Sequence, residues 1–226
     1  MTTQLLPLLQ LLRLASPALP VGGYSYSQGL EWGIDCGEVA NVAAAQRWIG
    51  DMLDHTQARF ELPLLLAMHA AWSASDGAEA QRLNQQYLAS RETRELRAET
   101  LQMGYSLREL LVALPDLPEE AQAAAAALAQ PTYPVLYALA AASWQIAPPE
   151  MALAYVWSWA ENQIMVLMKA LPLGQVAGQK LLSQLLPRMR QAVATACAAP
   201  RWSNFAPGLA IASSRHETQY SRLFRS

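Results

Sequence analysis

The stretch LASPALPVGGYSYSQGLEWG, Leu14 to Gly33, lies between two segments whose apolar residues have the spacing of amphipathic helices. Pro17 and Pro20 predict an extended chain here, because proline fixes its backbone and lacks an N–H. Gly22 and Gly23 permit a turn that other residues disfavour. Three interpretations are open at this point: a phosphate-binding loop, an active-site turn, or a structural entry into the next helix.

On both sides of this opening loop, apolar residues recur at helical spacing, and alternating strand-like segments are absent. No linker, repeat or charge run divides the chain. We therefore predict an all-α protein, a single domain over residues 1–226 built as a bundle of roughly eight to ten helices. Apart from the helix that follows the opening loop, the predicted helices cover residues 2–14, 42–71, 78–90, 91–114, 119–129, 133–145, 149–171 and 174–195.

Local signals define two of the helix boundaries. Ser25 or Ser27 is a plausible N-cap for the helix after the opening loop, which is expected to run through Cys36 and to stop at Gly37. Pro63 falls inside the long pattern over residues 42–71. Because proline removes an internal hydrogen bond, we expect a kink or a split there.

The composition bounds the kind of partner. Hydrophobic residues make up 53% of the 226 residues and charged residues only 15%, against roughly 25% charged in typical soluble domains. So few charges indicate a large core, a large partner-covered surface, or both. A formal net charge of −2 gives no electrostatic reason to expect nucleic acid or an anionic membrane. The two cysteines, Cys36 and Cys197, are far apart and are expected to be reduced thiols in a cytoplasmic protein.

One uncharged run, between Glu120 and Glu150, raises the question of a membrane span. Pro131 and Pro134 break the run, and only residues 135–147 remain continuous. That is shorter than the ~20 residues that a helix needs to cross a bilayer. A buried helix is the better interpretation.

Motifs that carry enzymatic chemistry are missing. His55, His69 and His216 have no HExxH spacing, and the sequence has no CxxC or GxSxG motif. The segment GQVAGQKL, Gly174 to Leu181, falls one residue short of a phosphate loop and has no preceding strand. We therefore expect no enzyme, no metal site and no cofactor. A helical enzyme with an unrecognised site remains the alternative.

Four blocks of the sequence resemble the urease accessory proteins of the UreF family. The first is the opening loop with the helix start after it, and the second is the charged segment YLASRETRELRAE, Tyr87 to Glu99. The third, residues 148–175, is similar to a late helix and turn of that family. The fourth, residues 212–226, is similar to its C-terminal tail, and the four blocks follow the family's order.

The resemblance implies an all-helical adaptor without catalytic activity or a cofactor of its own. UreF-like proteins join the accessory protein UreD, also called UreH, to the GTPase UreG, in an assembly that delivers nickel to apo-urease. They are generally homodimers there and are thought to modulate GTP hydrolysis by UreG. A passive helical scaffold that only holds the partners together is the alternative within the family.

Several residues of the resembling blocks are candidate partner contacts. Tyr24 and Tyr26 are either structural parts of the turn or aromatic anchors for a partner. Glu31 is either an acid that stabilises the first turn of a helix or a contact for the GTPase. Lys169 is either a lysine that favours a helix C-terminus or an electrostatic contact in a turn that the family uses for its GTPase.

The tail over residues 213–226 is the strongest interaction candidate. Chain ends are commonly frayed, but this one is dense in aromatic rings and hydrogen-bonding groups, and we predict that it orders on binding a partner. Its candidate contacts are Arg215, His216, Glu217, Tyr220, Arg222 and Phe224.

Two other groups leave alternatives open. The charges of RETRELRAE, residues 91–99, form either a solvated helix face or bridges between helices or subunits. The tryptophans Trp144, Trp157 and Trp159 pack in the core or line a dimer interface.

Overall fold

The computed structural model describes residues 5–198 and 202–226, and these ranges contain helices and no strand. The predicted all-α class is confirmed, although residues 2–4 of the first predicted helix lie outside the described ranges. The helices are α1 (Leu5–Ala15), α2 (Leu30–Asp35), α3 (Val42–Met52), α4 (Leu62–Ser73), α5 (Gly77–Ala89), α6 (Arg94–Ala113), α7 (Glu119–Ala127), α8 (Tyr133–Ser143), α9 (Pro148–Ala170), α10 (Gln175–Ala198) and α11 (Pro207–His216).

Helix α8 lies at the centre of the core. It buries eight consecutive residues, from Pro134 to Ala141, and a helix that is apolar on every side must be surrounded by protein. Its neighbours are α4, α6 and α5, while α9 packs against α10 and α1. Residues 135–143 of the uncharged run therefore lie in a buried helix, as predicted. Within the described ranges, no helix is both long enough and apolar enough to cross a bilayer.

The long helical pattern near Pro63 is interrupted by a change of helix type. Residues Leu53–Glu61 form a π-helical segment that joins α3 to α4 without a break, so the three form one rod. Pro63 is the second residue of α4, directly after the π-helical segment, so the change of helix type falls next to the proline. The π-helical segment packs against α10 and buries Gln57 and Glu61, and such segments are frequent at functional sites.

The start of α2 differs from the prediction. The helix begins at Leu30, directly after Gly29, whose φ of +79° places it in the left-handed region. Gly29, and neither predicted serine, occupies the N-cap position. Ser25 ends a short 3-10 turn, whereas the buried Ser27 both donates to the C-terminal tail and accepts, at 3.4 Å, from the N–H of Glu31 in the first turn of α2. The predicted stop at Gly37 is confirmed, with a φ of +84°.

The structure also contains a helix that the sequence patterns did not predict. Helix α11 buries only Ala212, Ser213 and His216, so its apolar stripe is too short to be recognised from spacing. The helix packs against α2.

The three tryptophans pack in the core or against it. Trp144 is buried, and Trp157 and Trp159 are partly buried against the core cluster.

Candidate partner-binding site

Helix α11 is held close to the start of α2. A Cβ atom added to Gly29 would lie 3.0 Å from the Cβ of Ala212 and 3.1 Å from the backbone nitrogen of Ser213. The hydroxyls of Ser213 and Thr93 lie 2.7 Å apart, and Thr93 also caps the N-terminus of α6. The opening loop, α6 and the tail therefore meet at this point.

Beyond α11 the tail turns back and pairs with the opening loop through its main chain. The N–H of Arg225 donates to the carbonyl of Ser25 at 2.8 Å. The main-chain oxygen of Ser226 accepts from the N–H groups of Ser27, at 2.6 Å, and Gln28, at 3.1 Å. Every one of these contacts is made within the chain.

The carboxylate of Glu31 is the acceptor around which the tail folds. Its side chain is buried, with 5% of the residue exposed. It accepts from the backbone N–H of Leu223 at 2.6 Å and from that of Phe224 at 3.1 Å. Nε2 of His216 lies 3.1 Å from the same carboxylate. Glu31 therefore connects the first helix after the opening loop to three residues of the tail.

His216 lies between two carboxylates and is fully buried. Its Nδ1 is 2.7 Å from Oε2 of Glu95, opposite the contact between Nε2 and Glu31. Because carboxylate oxygens only accept hydrogen bonds, both contacts are satisfied when both ring nitrogens carry an N–H. Arg222 donates to the other oxygen of Glu95 at 2.5 Å. The Glu95 carboxylate therefore contacts both His216 and Arg222.

Glu99 extends this network towards α9. It accepts from Nε2 of Gln28 and from the hydroxyl of Ser226, each at 2.7 Å. The carbonyl of the Gln28 side chain accepts in turn from the indole N–H of Trp159 at 2.8 Å. Burial raises the pKa of Glu99 to about 7, against the lowering effect of these two hydrogen bonds.

Arg91 forms a second buried ion pair below this network. Its guanidinium donates to Glu61 at 2.7 Å and lies 4.3 Å from the centre of the Tyr87 ring, whose hydroxyl also donates to Glu61. The side chains of Arg91 and Glu95 are 7% and 10% exposed, and Glu99 is 6% exposed. A solvated face therefore describes only Glu92, Arg94 and Arg97, which are exposed, and not the other three charges of residues 91–99. The bridging alternative is correct, and its bridges join different parts of one chain.

The structure separates the predicted contacts into buried and exposed residues. Tyr26, Glu31, His216 and Phe224 are buried, and Glu217 is half-buried, with a carboxylate that accepts from the N–H of Glu95. The predicted contacts that are exposed are Tyr24, Lys169, Arg215, Tyr220 and Arg222.

We give the name tail surface to five exposed residues from the opening loop, the end of α9 and the tail. Nζ of Lys169 lies 5.9 Å from the ring centre of Tyr24 and 5.3 Å from that of the buried Phe224. The end of α9, the opening loop and the tail are thus adjacent. The tail surface consists of Tyr24, Lys169, Tyr220, Arg222 and Leu223, all exposed.

Sequence reasoning missed several members of the site. Gln28 gave one weak signal in the sequence, its position directly before Gly29. In the structure its φ is +53°, which is unusual for a residue other than glycine. Glu61 gave none, because its partners are 26 and 30 residues away. Among the described residues, no group of three or more His, Cys, Asp or Glu side chains converges as a metal site, and both cysteines are free and exposed.

Comparison with known proteins identifies relatives of this chain. The family model for UreF matches residues 39–186. The urease accessory protein UreF of Azoarcus sp. (strain BH72) is 57% identical over 98% of this chain and 97% of its own length. The proteins of the same name from Dechloromonas aromatica and Azotobacter vinelandii are 52% and 55% identical, over 98% and 96% of this chain and 98% and 97% of their own lengths. On a family match of this extent, the chain belongs to the UreF family.

Proposed function

We propose that this protein is a non-catalytic adaptor of urease maturation in the cytoplasm. It joins UreD (UreH) to the GTPase UreG, in the complex that delivers nickel to apo-urease, and it acts there as a homodimer. The support is membership of the UreF family, whose members compared above are named urease accessory proteins. The four blocks that carry the resemblance span nearly the whole chain.

The observation that best supports the proposal is that Glu31 holds the tail against α2. Its carboxylate accepts two backbone N–H groups of the tail and faces His216. This arrangement fixes the main chain at the exposed Leu223 beside α2 before any partner arrives. A surface that is ordered in advance loses less entropy on binding than a frayed tail does.

The buried residues then act through the tail surface. Tyr26, Glu31, His216 and Phe224 hold the surface in place, and the exposed residues touch the partner. The prediction that the tail orders on binding stays open, because the tail described here is already folded against the chain.

Modulation of the GTPase is assigned to Lys169. Its ammonium group is exposed next to the Tyr24 ring at the end of α9. A cation held beside an aromatic ring is a suitable contact for an acidic group of a nucleotide-binding partner. Lys169 would act by electrostatic contact rather than as an acid or a base.

The test is a reconstitution with purified UreD and UreG. Light scattering after size exclusion gives the mass of the complex, and phosphate release gives the rate of GTP hydrolysis. We expect wild-type protein to form a complex with both partners, and Lys169→Ala to change GTP turnover in a complex of unchanged mass. Lys180→Ala, at an exposed lysine on α10, is the matched control.

Two outcomes contradict the proposal at different levels. If Lys169→Ala changes affinity alone, the protein is a passive scaffold and the regulatory part fails. If the wild-type chain binds neither partner, the adaptor function itself fails.

A further inference from the structure

A cavity of about 210 Å³ lies beneath the opening loop. Its walls come from the opening loop, the π-helical segment, α6 and α9, represented by Val21, Gln57, Glu99 and Trp159. The volume is many times the roughly 10–15 Å³ of probe-occupied space that one buried water needs. It is below the roughly 300–1,000 Å³ of pockets that hold drug-sized ligands. The size suits a small molecule or a single side chain.

The cavity wall has more acidic than basic side chains. Arg91 is neutralised by its 2.7 Å pair with Glu61. Glu99 and Glu161 also line the cavity, and within the described part of the chain neither forms an ion pair. With both acids ionised, the wall carries two negative charges that no described side chain offsets.

The cavity also presents an unused hydrogen-bond acceptor. Gln57 is 3% exposed, and its buried Oε1 has no hydrogen-bond partner among the described residues. A buried carbonyl without a donor is unfavourable, because it has given up its hydrogen bond to water. The half-buried Glu161 carboxylate also makes no hydrogen bond to a described residue, so the wall offers two acceptors to a ligand that donates hydrogen bonds.

The remaining wall is aromatic and apolar. The rings of Tyr24, Tyr133, Tyr155 and Trp159 line the cavity together with apolar side chains such as Met165. Aromatic faces attract cations and accept alkyl chains. The same wall is poorly suited to an anion, because ring faces are electron-rich.

From these features we propose that the cavity binds an alkylammonium group, whose ammonium meets acceptors of the cavity wall that include Glu161 and Gln57 and whose alkyl chain lies along the aromatic wall. The group comes either from a free small amine or from the lysine side chain of another polypeptide. Both sources present the same chemical group, a primary ammonium on an alkyl chain. A divalent metal ion is a poorer match, since no three metal-ligating side chains converge among the described residues.

The experiment measures binding of n-butylammonium to the full chain by titration calorimetry at pH 8, where Glu99 is ionised. n-Butanol and butyrate have similar shape but are neutral and anionic. Glu161→Gln and Gln57→Leu remove one charge and one acceptor, and Glu109→Gln, at an exposed residue of α6 that does not line the cavity, is the control. Circular dichroism and melting temperature verify that each variant is folded.

We expect saturable binding of butylammonium, at least tenfold weaker in Glu161→Gln and unchanged in Glu109→Gln. Nα-acetyl-lysine methylamide separates the sources: binding as tight as that of butylammonium indicates a lysine side chain, and its failure where butylammonium binds indicates a free amine. The proposal is overturned if folded wild-type protein does not bind butylammonium, if butanol binds equally well, or if folded Glu161→Gln binds it as tightly as wild type.

Discussion

Oε2 of Glu31 and Nε2 of His216 lie 3.1 Å apart, although 185 residues separate them in the sequence. Both residues are buried, so the contact is made away from bulk water. It joins α2 to the last residue of α11. The integrity of the tail surface depends on this contact and on the two backbone hydrogen bonds that Glu31 also accepts.

Removing the Glu31 carboxylate should destabilise the protein and release the tail. Glu31→Ala leaves a buried imidazole and two tail N–H groups without their acceptor, and each buried donor left unsatisfied costs roughly 1–3 kcal/mol. We expect a lower free energy of unfolding in urea and faster amide hydrogen exchange over residues 217–226. Glu38→Ala, at an exposed acid nearby, should change neither; equal behaviour of the two variants would contradict the role given to Glu31.

The close approach of α2 and α11 can be tested with two glycines. Gly29 and Gly22 both have positive φ, at +79° and +74°, so alanine at either position adds backbone strain of roughly 1–2 kcal/mol. Only at Gly29 does the new Cβ meet the tail, at 3.0 Å from Ala212. Gly29→Ala should therefore lower the free energy of unfolding by about 1 kcal/mol or more beyond Gly22→Ala. Equal losses, measured in urea, would mean that the tail does not pack there in solution.

The buried ion pair below the network should be sensitive to the loss of one partner. Arg91→Met leaves the Glu61 carboxylate buried and unpaired, and we expect a loss of roughly 3–5 kcal/mol in unfolding free energy. The double variant Arg91→Met with Glu61→Leu should recover much of that loss, because apolar side chains of similar volume often replace buried pairs well. Arg82→Ala, which breaks an exposed pair with Glu79, is the control and should have little effect. A single variant as stable as this control would show that Arg91 is solvated.

The stability of the protein should depend on pH through Glu99. The folded state holds its proton up to a pKa of about 7, while an unfolded chain releases it near the ordinary value of 4.5. Between these values the native state binds more protons, so the contribution of Glu99 to the unfolding free energy falls as pH rises and levels off above 7. At 1.36 kcal/mol per pKa unit the fall amounts to about 3 kcal/mol. The charged and polar groups that face the carboxyl are Gln28, Ser226, Arg91 and Glu61.

Glu99→Gln removes this titration. Subtracting its unfolding free energy from that of wild type, at intervals from pH 4.5 to 8, should give a curve that falls towards pH 7. Glu92→Gln, at an exposed acid of the same segment, should give a flat difference. A flat difference for Glu99→Gln as well would mean that Glu99 titrates in the folded state as it does in water.

The helices were largely predictable because their apolar spacing is long and regular. The pattern predicted a helix over 149–171, and α9 runs from Pro148 to Ala170. Helix α11 was missed because its buried stripe holds only three residues, and its position depends on contacts with α2. The spacing of apolar residues therefore predicts a helix best when the helix buries a long apolar face.

The site was predictable in some of its members but not in its geometry. Residue type and resemblance singled out Glu31, His216 and Arg222 one by one. Nothing in the spacing indicates that His216 faces both Glu31 and Glu95, since these contacts span 185 and 121 residues. Such pairings arise only when the bundle closes, and the same holds for the burial of Arg91 and Glu99.

The measurement that tests the account most directly is partner binding by a variant of the tail surface. Tyr220 and Leu223 are exposed, so replacing them as Tyr220→Ala with Leu223→Ser should leave the unfolding free energy close to that of wild type. The account predicts that this folded variant fails to form the complex with UreD and UreG in light scattering after size exclusion, while Val112→Ser, at an exposed apolar residue of α6, still forms it. A tail variant that assembles as well as wild type would contradict the claim that partners recognise the tail surface.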